Sequence, residues 1–112
     1  MSQTSGNLAG LTALVTGAGS GIGRAAAGAL AAAGARIVVT ELPYRLERAE
    51  ATVSEVIGTG GNALALPLDV RDLQSITDCV RDGVQAAGRL DILVNNAGIN
   101  VRQPAFEVTE EA

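Results

Sequence analysis

Gly17, Gly19, Gly21 and Gly23 place four glycines in seven residues, between an apolar run and an alanine-rich stretch. Glycine lets backbone approach a ligand closely, and free N–H groups at the start of a following helix face an anion. The chemistry such a loop invites is the holding of a phosphate. Its plain alternative is a loop that lets a helix pack tightly on a strand. Other chemical tools are scarce. The chain has no His, no Trp and no Lys; all eight basic residues are Arg, with one Tyr (Tyr44) and one Cys (Cys79). This inventory excludes metal sites of the usual N/S type and nucleophiles built on Cys/His or Ser/His/Asp.

The elements that must position the loop follow from the apolar pattern. Residues 12–16 (TALVT) read as a short buried strand entering the loop. A helix follows over 22–33, with Ile22, Ala26, Ala29, Leu30 and Ala33 on one face and Gly34 as a stop. Residues 36–40 (RIVVT) are a second strand. A second helix over 45–57 carries Leu46, Ala49, Val53, Val56 and Ile57, and ends at Gly58, Gly60 and Gly61. Residues 63–68 (ALALPL) are a third strand, which Pro67 assigns to a sheet edge. Asp72 caps a third helix with the stripe Leu73, Ile76, Val80, Val84 and Ala87, stopped by Gly88. Residues 91–95 (DILVN) are a fourth strand. Alternating strands and helices, with continuous apolar runs in the strands, predict a parallel sheet covered on both faces. Residues 1–10 read as a flexible tail, and 108–112 as the opening of a helix with a Thr109 cap and two carboxylates.

At 112 residues, 47% hydrophobic and 18% charged, the chain is at most one globular domain. A net charge of −4 argues against nucleic acid and anionic membrane as partners. No apolar run approaches the ~20 residues of a membrane span, and residues 1–10 show no signal peptide. A single cysteine fits a reducing cytoplasm.

The glycine spacing departs from Gly-x-Gly-x-x-Gly, because with Gly17 first the last position is Ile22. It reads Thr16-Gly17-x-x-x-Gly21-x-Gly23 instead. This pattern resembles the short-chain dehydrogenase/reductase family, and three later stretches agree in order and spacing. Glu41 ends the second strand, where members preferring NAD carry an acidic residue. Asp69-Val70 ends the third strand, like the family's Asp-Val pair facing the adenine. Residues 91–98 (DILVNNAG) are similar to its fourth strand and Asn-Asn-Ala-Gly motif.

The resemblance implies the N-terminal part of a Rossmann-type doubly wound sheet, α/β, with four strands in order 3-2-1-4, over residues 11–112. It implies Gly17, Ser20, Gly21, Ile22, Gly23, Glu41, Asp69, Val70, Asn96, Ala97 and Gly98 as cofactor-binding residues. Glu41 can accept hydrogen bonds from the ribose hydroxyls and would repel a 2′-phosphate. Ser20 stands where many NADP-dependent relatives carry a cation, so NAD is favoured over NADP; Arg45, the nearest candidate for a phosphate, is expected in the first turn of a helix. Asp69 can equally be a turn-forming carboxylate and Val70 a packing residue. Asn95 and Asn96 can tie loops together. Tyr44-x-x-x-Arg48 mimics the spacing of the family's catalytic Tyr-x-x-x-Lys in the wrong place, and Arg does not replace the compact ammonium. Cys79 reads as a small buried hydrophobe.

In the family, hydride transfer between the nicotinamide and a carbonyl or alcohol carbon uses a Ser, a Tyr, a Lys and an Asn beyond the Asn-Asn-Ala-Gly motif. None can be carried onto this chain. The expectation is therefore a truncated oxidoreductase without catalytic residues, inactive alone, whose full-length form is a homo-oligomer acting on a small alcohol or carbonyl compound. Alternatives are a dinucleotide-binding half-domain or a truncated interaction product. The strand over 91–95, central in the full fold, is expected here as an exposed edge that aggregates or dimerises.

Overall fold

The computed structural model describes residues 6–96. The expected helix opening at 108–112, and the site candidates Ala97 and Gly98, lie outside them. The elements are β1 (Thr12–Val15), α1 (Gly21–Ala32), β2 (Arg36–Glu41), α2 (Leu46–Gly58), β3 (Asn62–Pro67), α3 (Leu73–Ala87) and β4 (Ile92–Val94). All strand pairs are parallel, and the order is β3-β2-β1-β4, as the resemblance implies. The fold is α/β and Rossmann-like.

Alternation within the strands explains why their apolar runs are unbroken. Ala13, Val15, Ile37 and Val39 face one side of the sheet, in a core shared with Ala27 and Ala31 of α1 and Ala49 and Val56 of α2. Leu14 and Val38 face the other side, with Cys79 of α3 and Leu68. A strand covered on both faces has no position for a polar side chain in water. Thr40 is buried because its hydroxyl donates to Val15 O of the neighbouring strand (3.0 Å). Pro67 costs no ladder bond, since β3 is an edge strand beside β2.

The helix faces differ from those expected. In α1 the buried stripe is Gly23, Ala27 and Ala31; Ile22 is 80% exposed. An alanine-rich helix is apolar nearly all round, so periodicity cannot choose a face. Packing chooses the smallest side chains, which bring the helix axis closest to the sheet. In α2, Thr52 replaces the expected Ile57 in the buried stripe, because its hydroxyl reaches Ala18 O (2.9 Å). In α3, Cys79 and Gly83 are buried, whereas Leu73, Val80 and Val84 of the expected stripe are exposed. Burial pushes the Cys79 thiol up to about 11, which keeps it protonated and unreactive. Asp72 caps α3 as expected, accepting from Gln74 N (3.0 Å).

Residues 6–10, expected within a flexible tail, form turns in the structure. Leu8 packs on the α1 side of the core, and its N–H donates to Ala33 O (3.0 Å).

Candidate functional site

The 17–23 loop leaves the C-terminal end of central strand β1, the edge of an open parallel sheet where ligands bind. Its glycines are required for two different reasons. Gly17 and Gly21 adopt φ of +63° and +58°, a region that side chains disfavour. Gly19 and Gly23 are sites of close approach. A Cβ on Gly23 would lie 2.3 Å from Gly17 O, and one on Gly19 would lie 2.6 Å from Arg48 Cβ.

Neighbouring elements hold the loop on every side. Ala18 N–H donates to Thr40 O of β2 (2.9 Å), and Ala18 O accepts from Thr52 of α2. Gly19 N–H donates to Glu41 Oε2 (2.9 Å), while Glu41 Oε1 accepts from Leu42 N–H (3.3 Å). The carboxylate is thus buried and oriented, yet two of its roughly four acceptor positions are left for a ligand. From the β4 side, the Asn96 side-chain amide donates to Gly17 O (3.2 Å). The Thr16 hydroxyl accepts from Asn96 N–H (2.7 Å) and donates to Asn95 Oδ1 (3.2 Å). Both asparagines therefore act as loop ties.

Ser20 occupies the N-cap of α1 in an extended conformation and makes no side-chain capping bond. The first-turn N–H groups of a helix have no intrahelical acceptor, and here none comes from the cap. A Cβ on Gly21 would meet nothing within 4 Å, so the space before this helix end is open. It opens into a cleft of about 540 Å³. Gly17, Ser20, Gly21, Ile22, Glu41, Asp69, Val70 and Asn96 all line that cleft, so eight of the eleven candidates converge on it. Gly23 stands behind the wall, against Gly17 O and Asn96 Nδ2.

The far wall comes from the loops after β2 and β3. Asp69 accepts from Arg71 three times: Oδ1 from its backbone N (3.0 Å) and Nε (3.0 Å), and Oδ2 from Nη2 (3.1 Å). These bonds make Asp69 the organiser of a turn. Hydrogen bonding to the Arg71 side chain, then to its backbone, holds the Asp69 carboxyl below its ordinary range. Leu42, Tyr44, Arg45, Leu68 and Arg71 also line the cleft. Of these, the sequence reading weighs only Arg45 as a ligand contact; it sets Tyr44 aside as a catalytic decoy and takes Leu68 as the end of a strand, while Leu42 and Arg71 sit in loops with no periodicity. Pro43, which starts a short 3-10 turn over Pro43–Arg45, is the one local signal that the chain bends there.

Such a site combines an uncapped helix end, a buried carboxylate and an apolar floor. It suits an extended ligand with an anionic centre and a hydroxylated flank. Among the described residues, no helix is long and apolar enough to cross a membrane, and no cluster of His, Cys, Asp and Glu could hold a metal ion.

Comparison with known proteins agrees with this geometry. The family model described as short chain dehydrogenase matches residues 11–112. A hydroxynaphthalene reductase-like protein of Metarhizium guizhouense is 41% identical over 97% of this chain and 40% of its own length. A sorbitol dehydrogenase of Cereibacter sphaeroides is 44% identical over 94% of this chain and 39% of its own. Among solved structures, a dehydrogenase/reductase from Sinorhizobium meliloti superposes with a TM-score of 0.79 at 49% identity, covering 87% of this chain and 38% of that one. The chain thus spans about 40% of the length of the curated relatives it matches. With the loop spacing, the strand order and these likenesses in agreement, the chain belongs to the short-chain dehydrogenase family.

Proposed function

We propose that residues 11–112 are the cofactor-holding part of an NAD-dependent short-chain oxidoreductase that acts on a small alcohol or carbonyl compound in the cytoplasm. The observation that carries the cofactor choice is Glu41: a carboxylate 6% exposed, fixed by Gly19 N–H, on the wall of the cleft. Bound NAD would supply the hydride acceptor of the reaction. Holding that cofactor is the contribution of this chain. The N-terminus of α1, from Ser20 through Gly21, Ile22 and Gly23, supplies N–H groups and the positive end of a dipole to a pyrophosphate. Glu41 accepts from the ribose hydroxyls, and its charge opposes a 2′-phosphate. Asp69 and Val70 border the adenine, and Asn96 lines the cleft after β4; the family motif adds Ala97 and Gly98, outside the described residues, as cofactor contacts.

No residue of the chain is assigned to proton transfer. Tyr44 lines the cleft from the turn after β2, and Arg48 lies in α2 outside the cleft lining, consistent with the reading that their spacing is coincidental. The substrate, the oligomeric form and turnover are thus properties we assign to the longer protein.

Titration calorimetry with NAD and NADP tests the reading. NAD is expected to bind, and NADP more weakly. Glu41→Gln is expected to narrow that difference, because removing the charge removes the repulsion of the extra phosphate. Absence of heat at millimolar NAD would overturn the cofactor assignment. Turnover by the 112-residue chain with any alcohol would overturn the account of its missing proton donors.

A further inference from the structure

The peptide joining Ala18 to Gly19 is held at both ends by side chains of different elements. Its carbonyl, Ala18 O, accepts from the Thr52 hydroxyl of α2 at 2.9 Å. Its N–H, on Gly19, donates to Glu41 Oε2 of β2 at 2.9 Å. Ala18, Gly19, Glu41 and Thr52 are all buried. A carbonyl left without a donor in such a place carries the cost of its lost hydration. Thr52 has a second acceptor within reach, Arg48 O one turn back in its own helix, at 3.3 Å. Its single hydrogen favours the shorter contact to the loop.

The two bonds act through one rigid plane, because fixing the carbonyl of a peptide fixes the direction of its N–H. On the preceding side, Ala18 N–H is anchored on Thr40 O (2.9 Å). On the following side, a glycine accepts either sign of φ, so the backbone itself does not stop the 18–19 plane from turning over. Turned over, it would present an oxygen to Glu41 in place of a donor. The carboxylate would then keep only the longer bond from Leu42 N–H (3.3 Å). We propose that Thr52, which lies outside the cleft lining, is a positioning residue for cofactor choice: through the Ala18–Gly19 peptide, its hydroxyl holds the Glu41 carboxylate in place on the cleft wall. The role rests on the reading of Glu41 given above and extends it to a buried helix residue that touches no cofactor. Hydroxyl, peptide and carboxylate form a chain in which each bond polarises the next.

Thr52→Val keeps the branched shape and removes the donor. Thr52→Ala removes the donor without setting an apolar group against Ala18 O, and Thr52→Ser keeps the donor. Titration calorimetry of the 112-residue chain gives the ratio of the NADP and NAD dissociation constants. That ratio is expected to fall by up to about tenfold in Thr52→Val and Thr52→Ala, and to stay within about twofold of the parent in Thr52→Ser, as for one hydrogen bond serving a charged group. Amide hydrogen exchange adds a local readout. Gly19 N–H, which Thr52 does not touch, should lose protection in the first two variants, while Ala18 N–H keeps it. A merely structural Thr52 would loosen both amides and weaken both cofactors alike, and that result overturns the role. Variants that melt cooperatively with the parent's ratio and a protected Gly19 amide also overturn it, and leave the reading of Glu41 standing. If neither donor-less variant folds while Thr52→Ser does, the hydroxyl serves the fold and not the choice of cofactor, and the role falls again. A parent chain that binds neither cofactor, or binds NADP as tightly as NAD, refutes the reading of Glu41 itself and takes the role of Thr52 with it.

Discussion

Gly21 and Gly23 are two residues apart and fail for different reasons when given a side chain. At Gly21 nothing stands within 4 Å of a new Cβ, but φ is +58°. Gly21→Ala is therefore expected to cost about 1–2 kcal/mol of backbone strain and to leave the neighbouring bonds intact. At Gly23 a new Cβ would lie 2.3 Å from Gly17 O and 2.7 Å from Asn96 Nδ2. Gly23→Ala must push α1 away from the loop, a cost of about 1–3 kcal/mol, and release the Asn96 tie. Hydrogen exchange separates the two. The Asn96 amide, bonded to the Thr16 hydroxyl, should lose protection in Gly23→Ala and keep it in Gly21→Ala. Equal protection in both variants would contradict this division of roles. The glycine spacing alone marked both positions as special, but it could not say which was torsional and which was steric.

At the scale of elements, the contacts that fix the site run between segments far apart in the chain. Thr52 joins α2 to the loop, Glu41 joins β2 to it, and Asn96 joins the end of β4 to it. The exposed Arg24–Glu55 pair joins α1 to α2 and adds little, because water screens it. At the opposite end of the sheet, Asp91 Oδ2 accepts from Thr12 N–H (2.9 Å) while its carboxylate pairs with Arg89 (2.8 Å). Those bonds set β4 in register beside β1. They hold the Asp91 carboxyl below its ordinary value, chiefly through Arg89 and then Thr12. A lowered carboxyl contributes stability that is present above its ordinary pKa and lost as pH falls through its lowered one. Asp91→Asn is expected to melt lower than the parent at neutral pH and to lose less on acidification. A parallel pair of melting curves down to strong acid would refute this. Strand positions were legible in the sequence because burial on both faces leaves continuous apolar runs. Helix faces were not. Alanine in α1 and the hydroxyl of Thr52 in α2 carry no periodic signal that distinguishes the sheet side.

Across the whole molecule, β1 and β2 are paired on both sides, whereas β4 pairs only with β1 among the described residues. β4 is short, apolar and partly open: Leu93, on the α3 side of the sheet, is 68% exposed. Strands of this kind pair with other chains unless something covers them. Light scattering of the 112-residue chain is expected to show association that grows with concentration, and Leu93→Lys is expected to shift it toward monomer. A parent chain that stays monomeric at micromolar concentration and melts cooperatively would run against this. What the sequence determined by itself was everything carried by local spacing. That covers the parallel α/β class, the strand order through family likeness, and a glycine loop shaped for a phosphate. Only the tertiary structure decided how the cleft is walled. Glu41 turns its carboxylate onto Gly19, Asp69 spends its oxygens on Arg71, and Tyr44 stands at the rim, because packing of β2, β3 and α1 brings together loops that no sequence interval connects.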